Sequence, residues 1–163
     1  MRNARWPVWC LMLLALAAEL LPLPAIAQPF RPAFTTMTLI YWTLMWPGRF
    51  GVFTAFVFGL LVDIAHGSLL GQHALTLGVV SYVVLRLHLQ LRVFPVWQLT
   101  LAVFALVVIE AFLLLWIDGA TGRATLGPQR WGPVFAAAVF WPILMALMDR
   151  VRERLERRKS SFS

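Results

Sequence analysis

The chain has 163 residues, of which 61% are hydrophobic and 13% are charged, about half the charged share of a typical soluble protein. This composition excludes an ordinary soluble domain and favours a protein that uses the bilayer as its solvent. The single cysteine, Cys10, excludes a disulfide within the chain.

The first apolar stretch resembles a secretory signal. Arg2 and Arg5 precede it, and Ala25-Ile26-Ala27 offers small residues of the kind found at a cleavage site. The stretch is long for a signal core, however, and Glu19 interrupts it. We therefore predict that this segment is retained as the first membrane helix.

Six apolar segments follow one another along the chain, separated by turn residues. Their predicted bounds are Trp6–Ile26, Ala33–Trp46, Phe50–Ile64, Leu69–Leu87, Pro95–Ile117 and Trp131–Met148. No repeat or linker divides them. The sequence predicts an all-α integral membrane protein of about six transmembrane helices, with residues 1–163 forming a single membrane domain.

The second and third segments are short. With about 14 or 15 residues each, they would reach about 21–23 Å at helical rise, less than the roughly 30 Å of the hydrocarbon core. They are predicted either to be short spans or to form a hairpin that enters the membrane and returns. Both alternatives give the later helices the same orientation.

Basic residues predict that both termini lie in the cytoplasm. With six crossings, the inner segments carry Arg2, Arg5, Arg49, Arg86, Arg92, Arg150, Arg152, Arg154, Arg157, Arg158 and Lys159, and the outer segments only Arg31, Arg123 and Arg130. Residues 149–163 form a basic tail, of which Asp149–Lys159 is predicted to continue the last helix. Such a cluster attracts anionic lipid. The tryptophans lie mostly near segment ends, which is typical of a membrane interface and not of nucleic-acid binding.

Polar residues within the apolar segments are candidate functional groups, because a buried charge in a membrane is costly. Glu19 and Glu110 fall at a similar depth in their segments, and Asp63, His66 and His73 lie towards the same outer side. Glu19, Glu110, His66 and His73 are predicted to form an outward-facing polar pocket. The alternative is that these groups bond to one another and fix the packing of the helices. No metal-binding, nucleophilic or phosphate-binding motif is present, so neither a metal, a cofactor nor an enzymatic activity is predicted.

Small residues also recur every four positions in the third segment. Gly51, Ala55 and Gly59 form a ridge that allows close approach of another helix, and Asp63 ends it. We define these four residues as the small-residue ridge. It predicts either a docking face for a partner helix or close packing within the bundle.

Several blocks of sequence resemble the family of rod shape-determining MreD proteins. They are Arg31-Pro32, Leu39-Ile40-Tyr41-Trp42, Pro47, Gly59-Leu60-Leu61-Val62-Asp63-Ile64, Gly67, Leu70-Gly71-Gln72-His73-Ala74-Leu75, Arg92-Val93-Phe94-Pro95 and Trp97-Gln98. The order of the blocks, the length of the chain and its basic end are similar to that family.

This resemblance implies a non-enzymatic component of the bacterial elongation machinery in the inner membrane, supporting peptidoglycan synthesis. It implies binding to MreC and an indirect connection to MreB, RodA and penicillin-binding protein 2. A scaffold of this kind is also predicted to contact a second copy of the chain. The resemblance also implies a six-helix fold like the substrate-binding components of energy-coupling-factor transporters. Two hypotheses follow. The preferred one is a scaffold of the elongation machinery, and the other is a small-molecule-binding component of a vitamin-type transporter.

Overall fold

The computed structural model describes residues 5–22, 24, 27–123 and 127–160. Within these ranges it is all-helical. The helices are α1 (Arg5–Leu20), α2 (Phe34–Met45), α3 (Val52–His66), α4 (Gln72–Leu91), α5 (Val96–Ala120) and α6 (Gly132–Ser160). Short 3-10 turns at Gln28–Phe30 and Pro128–Trp131 precede α2 and α6.

Each predicted segment corresponds to one helix of the described residues, so the predicted number of helices is confirmed, whereas the crossing of the membrane by all six stays a prediction. The first helix differs most, since α1 ends at Leu20 and not at Ile26. The predicted cleavage site includes Ala25 and Ile26, which lie outside the described residues. The predicted extension of the last helix is also confirmed, because α6 runs through Pro142 and continues to Ser160.

Three of the described helices are long and apolar enough to cross a membrane, and they are α4, α5 and α6. The other three are shorter: α1 has 16 residues, α2 has 12 and α3 has 15. At helical rise α2 is about 18 Å long, well short of a bilayer core of about 30 Å. Together with their composition, the three long helices indicate a membrane protein.

The shortest of the six helices, α2, is the central one. All its residues from Thr35 to Leu44 are buried, and it contacts α1, α4 and α6. Tyr41, Trp42 and Leu44 are fully enclosed. By contrast, α3 packs most extensively on α4, and α5 on α6. The bundle is thus built around a short, enclosed helix.

The turn between α3 and α4 depends on two glycines. Gly67 ends α3 with φ = 63°, and Gly71 precedes α4 with φ = 100°. Both angles lie in the left-handed region, where a Cβ is unfavourable. This tight turn places the end of α3 directly beside the start of α4.

The helices define two ends of the bundle. The end that contains the last turns of α1, α3 and α5 and the first turns of α2, α4 and α6 is called the polar end. The basic end is the opposite one. Thr35 at the start of α2 bonds to Glu19 at the end of α1, and Tyr41 bonds to Asp149 in the C-terminal half of α6. The start of α1 and the end of α6 therefore lie together at the basic end.

Candidate functional site

The polar end contains an extensively bonded carboxylate, that of Asp63. It accepts hydrogen bonds from the backbone N–H groups of Gly71 at 2.8 Å and His73 at 2.9 Å, and from the Ser68 hydroxyl at 2.8 Å. The first N–H groups of a helix have no partner within the helix and attract negative charge. Because Gly71 has no side chain to cap α4, Asp63 does so from the neighbouring helix.

Two histidines adjoin this carboxylate. His73 Nδ1 lies 2.8 Å from Asp63 Oδ1, and the rings of His66 and His73 stack with their centres 5.6 Å apart. His66 Nδ1 lies 3.0 Å from the carbonyl oxygen of Val62. His73 therefore extends the capping arrangement, whereas His66 packs on its outer side.

A cavity of about 280 Å³ lies next to this arrangement. Glu19, Thr35, Thr36, His73 and Glu110 are among its polar lining residues. Glu110 is only 5% exposed, and its Oε1 accepts a hydrogen bond of 2.8 Å from the Thr36 hydroxyl. Glu19 Oε2 accepts a bond of 3.2 Å from the Thr35 backbone N–H. Two carboxylates, one from α1 and one from α5, thus line one cavity and bond to consecutive residues of α2.

Cations near the cavity have acceptors of their own. Arg130, which lines it, forms an ion pair with Asp118 of α5, and the Gln72 amide donates to the same carboxylate at 2.8 Å. The Arg31 guanidinium donates to the backbone carbonyl oxygens of Glu19 and Leu21. It neutralises the unpaired carbonyls at the end of α1, where positive charge is favourable.

The basic end is built from a different set of contacts. The Tyr41 hydroxyl donates to Asp149 Oδ1 at 2.5 Å, and Arg152 lies 3.6 Å from the same carboxylate. Arg92 donates to the backbone carbonyl oxygens of Leu44, at 2.9 Å, and Met45. Arg92 thereby caps the end of α2, as Arg31 caps α1.

The structure brings together three of the four residues predicted to form a polar pocket. Glu19, Glu110 and His73 line the cavity, whereas His66 is not among its lining residues and stacks on the ring of His73. The alternative prediction, mutual bonding that fixes helix packing, describes the arrangement of Asp63 and His73. Among the described residues, no group of three His, Cys, Asp or Glu side chains is placed to hold a metal ion.

The small-residue ridge lies largely inside the chain. Ala55, Gly59 and Asp63 are buried, and only Gly51 is partly exposed. A Cβ on Gly59 would overlap the backbone of His73 and Ala74, so this glycine allows α3 and α4 to touch. Docking of a partner on the ridge stays a prediction, while Gly59 and Asp63 already serve the contact with α4.

Sequence reasoning did not find Thr35, Thr36 and Arg130 as cavity residues. A signal for the first two is present, because paired threonines at the start of an apolar segment offer hydroxyls that need partners in a membrane. No feature of the sequence indicates that Arg130 lines a cavity, because an arginine in a predicted loop is normally expected to be exposed to solvent.

Comparisons with known proteins agree on one family. The profile of the family described as rod shape-determining protein MreD matches residues 1–151. The chain is also 31% identical over 143 residues to a Haemophilus influenzae protein named rod shape-determining protein MreD, covering 88% of each chain. No solved structure matches the chain.

Proposed function

Because this chain belongs to the MreD family of rod shape-determining proteins, we propose that it is a non-enzymatic scaffold of the cell-elongation machinery in the bacterial inner membrane. The observation that carries this proposal is the family match, which extends over all six helices up to residue 151. A role in cell shape comes with the family, and the finer statements below are proposals.

The proposed direct partner is MreC, with MreB, RodA and penicillin-binding protein 2 connected indirectly and a second copy of the chain as a further contact. The polar end supports a structural role. Asp63 there bonds to backbone N–H groups, and Asp118 bonds to Arg130 and Gln72. Such contacts order helices, and they do not position a nucleophile beside a base.

Affinity purification of the tagged chain from gently solubilised membranes tests the proposal. We expect MreC, RodA and penicillin-binding protein 2 to be recovered with the tagged chain. An unrelated inner-membrane protein that carries the same tag should recover none of them. Recovery of an ATPase module with its coupling protein would instead favour the transporter hypothesis. Recovery of neither set of partners would contradict the scaffold.

We propose that a partner helix approaching the small-residue ridge contacts it at the Gly51 end, since the other three members are buried. A Cβ at Gly51 would meet no atom within 4 Å, and the same is true of Gly48. Gly51→Leu should therefore leave the fold intact and lower MreC recovery, while Gly48→Leu serves as the matched control. Equal recovery with both variants would exclude this end of the ridge as the docking face.

We further propose that all six helices cross or enter the membrane, with both termini in the cytoplasm. The structure supports this by placing the start of α1 and the end of α6 at one end. In a Cys10→Ser background, Val93→Cys at the basic end and Thr121→Cys at the polar end report the two sides. We expect an impermeant thiol reagent to label Thr121→Cys in intact spheroplasts, and Val93→Cys only after lysis. The reverse pattern would refute the orientation.

The basic tail, residues 149–163, is proposed to contact anionic lipid. Its residues up to Ser160 continue α6, and Arg150 and Arg154 are exposed on that helix. Each basic residue near an anionic surface contributes about 1 kcal/mol. Arg154→Gln should lower the phosphatidylglycerol retained by the purified protein, whereas unchanged retention would argue against lipid contact at this residue.

A further inference from the structure

The cavity at the polar end is lined by two acidic side chains. Glu19 and Glu110 enter it, and among the described residues each accepts a hydrogen bond only from an uncharged donor, the Thr35 N–H and the Thr36 hydroxyl. Glu110 is buried and Glu19 is half-buried, and a carboxylate removed from water is costly unless it is paired or fully hydrogen-bonded. A further group with hydrogen-bond donors and positive charge would satisfy both.

The chain's own cations near the cavity are engaged elsewhere. Arg130 pairs with Asp118, and His73 lies against Asp63. Arg31 donates to backbone carbonyl oxygens at the end of α1 and is not among the residues that line the cavity. The two glutamates are therefore left without a cationic partner in the described part of the chain.

A second observation points to a ligand. Thr35 lines the cavity and is only 3% exposed, yet its hydroxyl has no hydrogen-bond partner. A buried polar group of this kind normally has a partner, whether protein, water or ligand. The cavity volume of about 280 Å³ lies just below the usual range of ligand pockets, about 300–1,000 Å³, which suits a small ligand. The remaining lining includes apolar residues such as Val62, Leu77 and Val107, which suit a short hydrocarbon stem.

We propose that this cavity binds an organic cation with hydrogen-bond donors, an ammonium or guanidinium group on a short apolar stem, held between Glu19 and Glu110. Two sources share this chemistry: a small amine, or a lysine or arginine side chain of a partner protein. The small-amine form of the proposal is independent of the scaffold role, because a scaffold with an empty cavity would still recover MreC. The side-chain form rests on the proposed binding of MreC.

The first experiment uses n-propylammonium chloride as the probe and the full chain purified in detergent. Saturation-transfer NMR should detect binding of n-propylammonium and not of n-propanol, its neutral analogue of similar shape. Glu110→Gln should weaken this binding about ten-fold or more, since it removes a charge-assisted hydrogen bond. Glu153→Gln, an exposed acid on the tail of α6, removes the same charge elsewhere and should change nothing.

A second variant separates binding from folding. Thr36→Val removes the hydrogen bond to Glu110 but keeps the carboxylate, so we expect it to retain probe binding. Loss of binding in Glu110→Gln with retention in Thr36→Val assigns the effect to the charge.

The second experiment distinguishes the two sources by measuring MreC recovery with the same variants. Probe binding with unchanged MreC recovery assigns the cavity to a small amine. Absence of probe binding together with MreC recovery lowered by Glu110→Gln, and not by Glu153→Gln, assigns it to a partner's basic side chain. If the probe does not bind and the two variants recover MreC equally, the proposal is overturned and Glu110 is a structural group only. Recovery of MreC by the unsubstituted chain reports the scaffold role separately.

Discussion

The two ends of the bundle use charge in opposite ways. At the polar end the Asp63 side chain is fully enclosed and bonds to the N–H groups that begin α4. At the basic end the Asp149 side chain is 32% exposed and bonds to one hydroxyl and one neighbouring arginine. One carboxylate is part of the core, and the other is part of the surface. The same residue type is therefore expected to contribute very differently to stability.

Replacing each aspartate by alanine tests this contrast most directly. Asp63→Ala leaves several N–H groups at the start of α4 without an acceptor, and we expect a loss of about 3 kcal/mol or more in the free energy of unfolding. Asp149→Ala breaks a partly solvated contact, for which about 1 kcal/mol is typical. Denaturant unfolding in detergent, followed by circular dichroism, measures both. Equal losses would show that Asp63 at the polar end contributes no more to stability than Asp149 at the basic end.

Close packing at the polar end predicts the next largest effect. Gly59→Ala places a methyl group against the backbone of Ala74, which forces α3 and α4 apart. We expect a loss of about 1–3 kcal/mol, the usual cost of overpacking. Gly51→Ala, at the residue that precedes α3 at the basic end, meets open space and should change stability by less than about 0.5 kcal/mol. Thermal unfolding of the two variants side by side gives the comparison, and a stable Gly59→Ala would contradict the packing described for this turn of α3.

The smallest effect is expected from the arginine that caps α2. Arg92→Gln removes a positive charge from the end of that helix, where such a charge contributes about 0.3–1 kcal/mol. Because glutamine still donates hydrogen bonds, the loss should fall at the lower end of this range. Replicated chemical denaturation measures this loss in the free energy of unfolding. A loss as large as that of Asp63→Ala would show that charged contacts at the basic end stabilise the fold as strongly as those at the polar end.

The positions of the helices could be read from the sequence because apolar runs and turn residues mark them. The prediction for α3, Phe50–Ile64, differs from the observed Val52–His66 by two residues at each end. The first segment was overextended, since the apolar residues after Leu20 continue the hydrophobic run beyond the end of α1. Hydrophobicity marks where a helix lies along the chain, and turn chemistry decides where it stops.

The rotation of each helix could not be predicted. In a soluble protein an apolar stripe identifies the buried face, but here lipid-facing and protein-facing residues are both apolar. The sequence therefore gave no reason to place α2 at the centre. For the same reason Gly59 could be assigned either to a partner or to the chain itself, and only the contact with Ala74 settles its use.

The position of the polar residues along their helices could be predicted from the sequence, whereas the direction of their side chains could not. Placing Glu19 and Glu110 at a similar level of the bundle was sufficient to predict that they share a polar region, and both line the cavity. Capping of α4 by Asp63 was not predicted, although Gly71, which offers no capping side chain, is visible in the sequence. A helix start without its own cap is thus a signal worth searching for in a membrane protein.

The enclosure of α2 has a consequence for biogenesis. A helix of 12 residues, four of them threonine, is a poor substrate for independent insertion into a bilayer. Its contacts come from α1, which is synthesised before it, and from α4, α5 and α6, which are synthesised after it. We therefore expect the chain to complete its interior only when its last helix has left the ribosome. In chains truncated before Gly132, α2 should be accessible to proteolysis. Protection of α2 in such chains would show that it becomes enclosed before α6 is synthesised.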